Sequence, residues 1–289
     1  MTLRTRRAAV LTFGAALTGS LASPALAEAA GRWSRTGGEA GRAPLARAHA
    51  HNDYAHPHPL TDALSHGFGS VEADIWLVEG QLLVAHDASE LDPARTLEGL
   101  YLDPLLERVR AGHGRVYPGH GLSLQLLIDI KTAGDPTYRE LSRRLRPYRS
   151  MLSVCKDGVV RRGAVTAVIS GDRGAWIPMA QERRRRAFYD GRLTDLGGAP
   201  ASFTPLVSDN WNLHFAWQGD GPMPPQERAR LRDFAATAHA EGRRVRFWAT
   251  PDRPGPAREA VWRELLAARV DHLNTDDLAG LEAFLRAGR

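Results

Sequence analysis

Two histidines, three carboxylates and a lysine carry the chemistry of this chain: His51, Glu72, Asp74, His86, Asp129 and Lys131. A histidine can move a proton near neutral pH. Glu72 and Asp74 stand two residues apart, so in a strand they share a face. Asp129 lies in a second strand-like run, Leu127-Ile128-Asp129-Ile130, with Lys131 after it. Carboxylates about 4 Å apart repel by roughly 4 kcal/mol per pair at an effective dielectric near 20. Convergence of Glu72, Asp74 and Asp129 therefore calls for a bound cation or a shared proton. Three oxygen donors without cysteine favour Mg²⁺ or Ca²⁺ over zinc. These three are the expected metal ligands. His51 and His86 are the expected acid and base on either side of them. Lys131 offers a point charge to phosphoryl oxygens.

These groups need elements that bring them to one place. Short apolar runs at 46–51, 70–76, 123–130, 164–170, 186–189, 205–208, 244–249 and 271–274 read as strands. Several are apolar almost throughout, as in parallel strands covered on both faces. Amphipathic stretches at 60–65, 100–111, 136–146, 175–185, 225–241 and 255–269 read as helices between them. Alternation of this kind predicts a single-domain (β/α)₈ TIM barrel over residues 46–289. Catalytic groups of such a barrel sit at the C-terminal ends of its strands. His51, Asp74 and Asp129 fall at such ends, as do Asn274 and Asp276 after the last run. Trp248, near another strand end, is a candidate to stack on a substrate. No helix fits between Asp74 and His86, so residues 75–85 read as a hairpin after the second strand. A three-residue turn would set Asp74 opposite His86 on one face.

The first 27 residues read as an export signal. Arg4, Arg6 and Arg7 precede an apolar stretch, and Ala25-Leu26-Ala27 fits a cleavage site. Arg6-Arg7 permits the twin-arginine route, which makes the mature chain secreted or periplasmic. Residues 28–45 read as a flexible linker. Removing the three N-terminal arginines brings the net charge from +5 to +2. So mild a balance, with no recognisable motif, argues against a nucleic-acid partner. The run Arg183–Arg186 is the basic cluster, a helix end or a peripheral contact with anionic lipid. No transmembrane segment is expected. Cys155, the single cysteine, excludes an intrachain disulfide and reads as a small buried side chain.

In order and spacing, His51, Glu72-Ala73-Asp74, His86-Asp87 and Asp129-Ile130-Lys131 resemble the glycerophosphodiester phosphodiesterase group. That group belongs to the phosphatidylinositol-specific phospholipase C-like superfamily of metal-dependent (β/α)₈ barrels. Phe247-Trp248-Ala249-Thr250 and Val270–Asp276 look like its last two strands. His51-Asn52-Asp53-Tyr54, Ser70–Trp76 and Asn274-Thr275-Asp276-Asp277-Leu278 are similar to the altered inheritance of mitochondria protein 6 subgroup. The chain departs from the wider pattern in three places, one of them the absent Glu-Asn-Thr, with His58 near the position of its Glu. Asn52 stands where the typical enzyme has a phosphate-contacting Arg, so it offers hydrogen bonds to substrate without charge. Asp129 replaces the usual Glu, and Asp-x-Lys resembles the sphingomyelinase D branch.

The resemblance implies a phosphodiester hydrolase using Mg²⁺ or Ca²⁺ on a glycerophosphodiester or (lyso)phospholipid-derived substrate; the N-terminal signal makes it exported, and a monomer is expected. One alternative is a barrel of the same fold that binds a phospho-ligand without turnover. A second is a metal-dependent amidohydrolase that would use His49-x-His51 as ligands.

Overall fold

A computed structural model describes residues 43–288. The expected export signal and all of the linker but its last three residues lie outside the described residues. Leu45 already belongs to the first strand.

Eight parallel strands form a nearly closed barrel. They are β1 (Leu45–Ala50), β2 (Phe68–Val78), β4 (Leu124–Ile130), β7 (Val165–Gly171), β9 (Ala187–Gly191), β10 (Leu206–Asn210), β11 (Arg244–Trp248) and β12 (Leu273–Thr275). Each runs beside the next, and β12 returns to pair with β1. β11 meets β12 through a single bridge, Arg246 to His272. These are the eight expected strands, shifted at their ends by one or two residues. Val71, Ala73 and Ile75 are fully buried on one face of β2, and Glu72 and Asp74 on the other. This dual burial is why the strands read as near-continuous apolar runs.

The hairpin partner of β2 is β3 (Gln81–Val84). Val78 pairs with Gln81 and Ile75 with Val84. The turn is thus the two residues Glu79-Gly80, not three. Both have positive φ, 48° and 77°, as in the mirror-image turns that match strand twist. The register is one residue away from the expected pairing. Ala85, not His86, lies across from Asp74.

Helices cover the barrel at Thr61–Ser65, Asp103–Ala111, Gly134–Arg144, Trp176–Gln181, Pro225–Ala240, Pro256–Ala267 and Leu278–Ala287. The Leu278–Ala287 helix was not expected from the sequence; its N-cap is Asp277, which accepts from Gly280 N–H. The expected helix over 175–185 stops at Gln181. Arg184-Arg185 is instead a short strand, β8, beside the hairpin β5 (Val154–Lys156) and β6 (Val159–Arg161). Cys155 of β5 is buried, packed with Leu127, Val168, Phe188 and Leu206 inside the barrel. Among the described residues, no helix is long and apolar enough to cross a membrane.

Candidate active site

The register of the sheet places the key carboxylates. Asp74 of β2 is the lateral neighbour of Asp129 of β4, one row before the last pairing of these strands, Ile75 with Ile130, beyond which β2 runs on into its hairpin. Lys131, just past β4, reaches back between them. Its Nζ lies 3.0 Å from Asp74 Oδ2 and 3.1 Å from Asp129 Oδ1. Burial works against the ammonium charge, but Asp129 and Asp74 outweigh it and raise the lysine's pKa. Asp74 is 1 % exposed. Burial, with the charge of Glu72, raises its pKa despite Lys131. Tyr54, from the loop after β1, donates to Asp74 Oδ2 at 2.7 Å. His86 Nδ1 lies 3.2 Å from the same oxygen. His86 follows the end of β3, so pleat alternation no longer fixes its face. That is how it reaches Asp74 despite the shifted register.

His51 stands at the end of β1. Its Nδ1 is 2.8 Å from Asp276 Oδ1, on the loop after β12. Asp252 holds that loop by accepting from Asp276 N–H at 2.7 Å and from the Thr275 hydroxyl at 2.6 Å. Burial would lower the pKa of His51; the Asp276 hydrogen bond and the charges of Glu72 and Asp276 raise it instead. Each histidine is thus held through Nδ1 by its own carboxylate. Neither Nε2 has a partner among the described residues, so both are left for a substrate. Asn52 sits between the two sides in a left-handed conformation, φ 47°, which Asn tolerates. Its Nδ2 lies 3.0 Å from His51 Nδ1, and its Oδ1 lies 2.7 Å from the Tyr54 hydroxyl. Beside His86 lies a cavity of about 630 Å³ lined by Asn52, Tyr54, His56, Glu90 and Arg95 among others. Trp248 ends β11, half-buried, in register with Asn210.

Glu72 faces the interior below these groups. Its Oε2 lies 2.5 Å from Arg246 Nη1 and 2.9 Å from His49 Nε2. Burial would raise its pKa, yet the guanidinium and the imidazole hold it well below the usual range. His49 is wholly buried, with Nδ1 2.7 Å from the Ser70 hydroxyl. Burial and the Arg246 charge lower its pKa to about 4. This neutral histidine is engaged in the interior and does not form a ligand pair with His51. The sequence reading did not single out Arg246, Asp252 or the carboxylate role of Asp276. Arg246 alternates with Arg244 and Trp248 along β11, and that period-two spacing was its only signal.

Among the described residues, no three His, Cys, Asp or Glu side chains close on one point as a metal cage. The donor chemistry nonetheless fits a hard cation. Asp74 and Asp129 are adjacent, and Asp74 Oδ1 is buried with no hydrogen-bond partner. An orphaned carboxylate oxygen at a strand end is an open acceptor. Glu72 is the least available of the three expected ligands, because Arg246 and His49 share its Oε2.

The model of the AIM6-like phosphodiesterase domain matches residues 42–190. This chain belongs to the AIM6-like phosphodiesterase domain family. Its C-terminal part, residues 244–279, matches the glycerophosphoryl diester phosphodiesterase family. The altered inheritance of mitochondria protein 6 of Eremothecium gossypii is 32% identical over 274 residues, 83% of this chain and 69% of that protein. The homolog in Arthroderma benhamiae is 28% identical over 263 residues, 82% of each. Among solved structures, a glycerophosphodiester phosphodiesterase from Parabacteroides distasonis aligns with a TM-score of 0.49 at 10% identity, over 86% of this chain and all of that one. The first AIM6-like match spans every candidate from His51 to Lys131. The second spans Arg246, Trp248, Asp252 and Asp276.

Proposed function

We propose that this AIM6-like protein is a metal-dependent phosphodiester hydrolase acting on glycerophosphodiester or (lyso)phospholipid-type substrates. One observation supports this above the others: His51 and His86 are each anchored at Nδ1 by a separate carboxylate, with both Nε2 atoms unpartnered. That is the arrangement of a general acid and a general base serving one reaction. One imidazole takes the proton of the attacking hydroxyl, from water or from the substrate itself. The other gives a proton to the leaving oxygen. Lys131 supplies a fixed positive charge to the phosphoryl oxygens. Asn52 and Trp248 contribute neutral contacts to the substrate. Asp74 and Asp129, with Glu72 beside them, would hold Mg²⁺ or Ca²⁺, which when bound neutralises charge developing on the phosphoryl group.

Purified protein is assayed on glycerophosphodiesters and lysophospholipids, with Mg²⁺, with Ca²⁺ and with chelator. The expected result is turnover that chelator abolishes and that His51→Ala or His86→Ala lowers roughly 10²- to 10⁴-fold. Turnover indifferent to chelator and to both substitutions would sink the proposal. The pairing of Glu72 with Arg246 favours a second reading, a barrel that binds a phospho-ligand without turnover. Saturable binding of a diester with no product over a broad panel selects it. Export by the twin-arginine route is part of the proposal; Arg6→Lys with Arg7→Lys should then retain the precursor in the cytoplasm.

A further inference from the structure

The pole of the barrel opposite the candidate site carries a small sheet in which Val154, Cys155 and Arg185 are buried and the exposed positions are mostly cationic. Its strands lie in the order β6-β5-β8. Residues directly opposite in antiparallel pairs share a face. Cys155 pairs with Arg185, and both are buried. The next row is Val159, Lys156 and Arg184, and all three are exposed. Arg161, two residues beyond Val159, falls on the same outer face and is also exposed.

This face is poorly suited to water alone. Lys156 lies directly opposite Arg184, a like-charge pairing that weakens a strand pair. Val159 on this face is 74% exposed; Val160 turns to the other face, opposite Cys155. The turn before them, Asp157-Gly158, has positive φ at both residues and holds Val159 out on a tight reversal. Acid is scarce here. Asp157 pairs with Arg183 at 2.8 Å. Among the described residues, Lys156, Arg161 and Arg184 make no ion pair. Arg186, one turn of chain further on, loses basicity first through burial and then through Arg184, Arg149 and Arg146. Among the described residues, Asp157 and Glu182 are the acids set against this crowd of cations, and neither pairs with Lys156, Arg161 or Arg184.

We infer that this sheet face docks the protein on an anionic lipid surface, with Val159 entering the headgroup layer among Lys156, Arg161 and Arg184. The excess positive charge selects a polyanionic partner. An exposed aliphatic tip selects lipid over nucleic acid, because phosphates and base edges gain little from a valine. β5 and β6 precede the N-terminal end of β7, whereas His51 follows the C-terminal end of β1 and Asp74 lies one row before the last pairing of β2 with β4. The docked protein therefore holds its candidate site toward the water phase.

The test is co-sedimentation of the purified chain with phosphatidylcholine vesicles, with and without phosphatidylglycerol. The expected result is binding to the anionic vesicles alone, weakened by added salt. Each basic residue near such a surface contributes about five-fold, so Lys156→Gln with Arg184→Gln should weaken binding roughly 25-fold. Val159→Asp should weaken it with every cation intact. Both variants change exposed side chains, and an unaltered melting temperature confirms that they fold. Equal binding to both vesicle types overturns the inference. So does undiminished binding by either variant, or a preference for double-stranded DNA that Val159→Asp leaves unchanged. These readouts need no turnover, so they stand or fall apart from the hydrolase proposal.

Discussion

Arg246 sets the charge balance inside the barrel, because its guanidinium lies against both Glu72 and His49. The side chains of Arg246 and Glu72 are 4% and 6% exposed. A buried ion pair is weak evidence for net stability, but loss of one partner strands the other charge in a medium of low dielectric. Arg246→Ala should therefore cost about 3–5 kcal/mol in a denaturant melt. Glu72→Gln combined with Arg246→Met removes both charges together and should recover most of that loss. A double variant no more stable than Arg246→Ala would show that the pair does not act as a unit. The meeting of Asp74, His86, Asp129 and Lys131 at one end of the barrel, and the place of His51 at the end of β1, were legible in the sequence because each lies near a strand end. Arg246 was not, because almost every basic residue here is Arg, and its period-two spacing on β11 alone does not set it apart. Asp276 could be placed at a strand end, but only the fold shows that it faces His51 across 225 residues of chain.

Strand ends do the positioning, and β7 shows how closely. Gly171, its last residue, has φ 79° and lies against β4. A Cβ there would collide with the backbone N and O of Ile130 and stand 2.7 Å from Asp129 Oδ1. Gly171→Ala should therefore destabilise the protein by more than the roughly 1–2 kcal/mol of left-handed strain alone. It should also displace Asp129 and Lys131. The check is a melting curve together with diester turnover. Near wild-type stability and turnover would show that β7 yields freely. The eight barrel strands were legible because burial on both faces gives runs of apolar residues. The β5, β6 and β8 strands were not, since two or three residues establish no period. The β2–β3 turn was misjudged by one residue. Glu79-Gly80 takes a two-residue reversal, with Gly80 supplying a positive φ without strain.

At the scale of the whole molecule, two buried acids should each contribute less stability as pH rises from about 4 to 7, opposed by buried His49, whose lowered pKa of about 4 adds stability over the lower part of that range. Two carboxylic acids lie sealed in the structure away from the expected metal ligands. Asp53 accepts from Leu60 N–H at 2.6 Å and from the Tyr101 hydroxyl at 2.9 Å, and its other oxygen has no partner. Burial outweighs both bonds and raises its pKa to about 7. Asp190 accepts from Ser170 and Ser208 inside the barrel, and burial raises its pKa to about 6 against the charge of Arg192. Between the unfolded value near 4 and these folded values, the two acids hold more protons in the native state than in the unfolded chain. Their contribution to stability then declines with rising pH. The contribution is fully present below about pH 4 and gone once pH passes the folded pKa, a loss on the order of a few kcal/mol for each group. Asp53→Asn and Asp190→Asn remove the ionisation while keeping an acceptor oxygen. The variants should gain stability relative to wild type between pH 5 and pH 8 in matched thermal melts. Curves that run parallel to wild type across that window would mean that both acids titrate alike in the folded and unfolded chains.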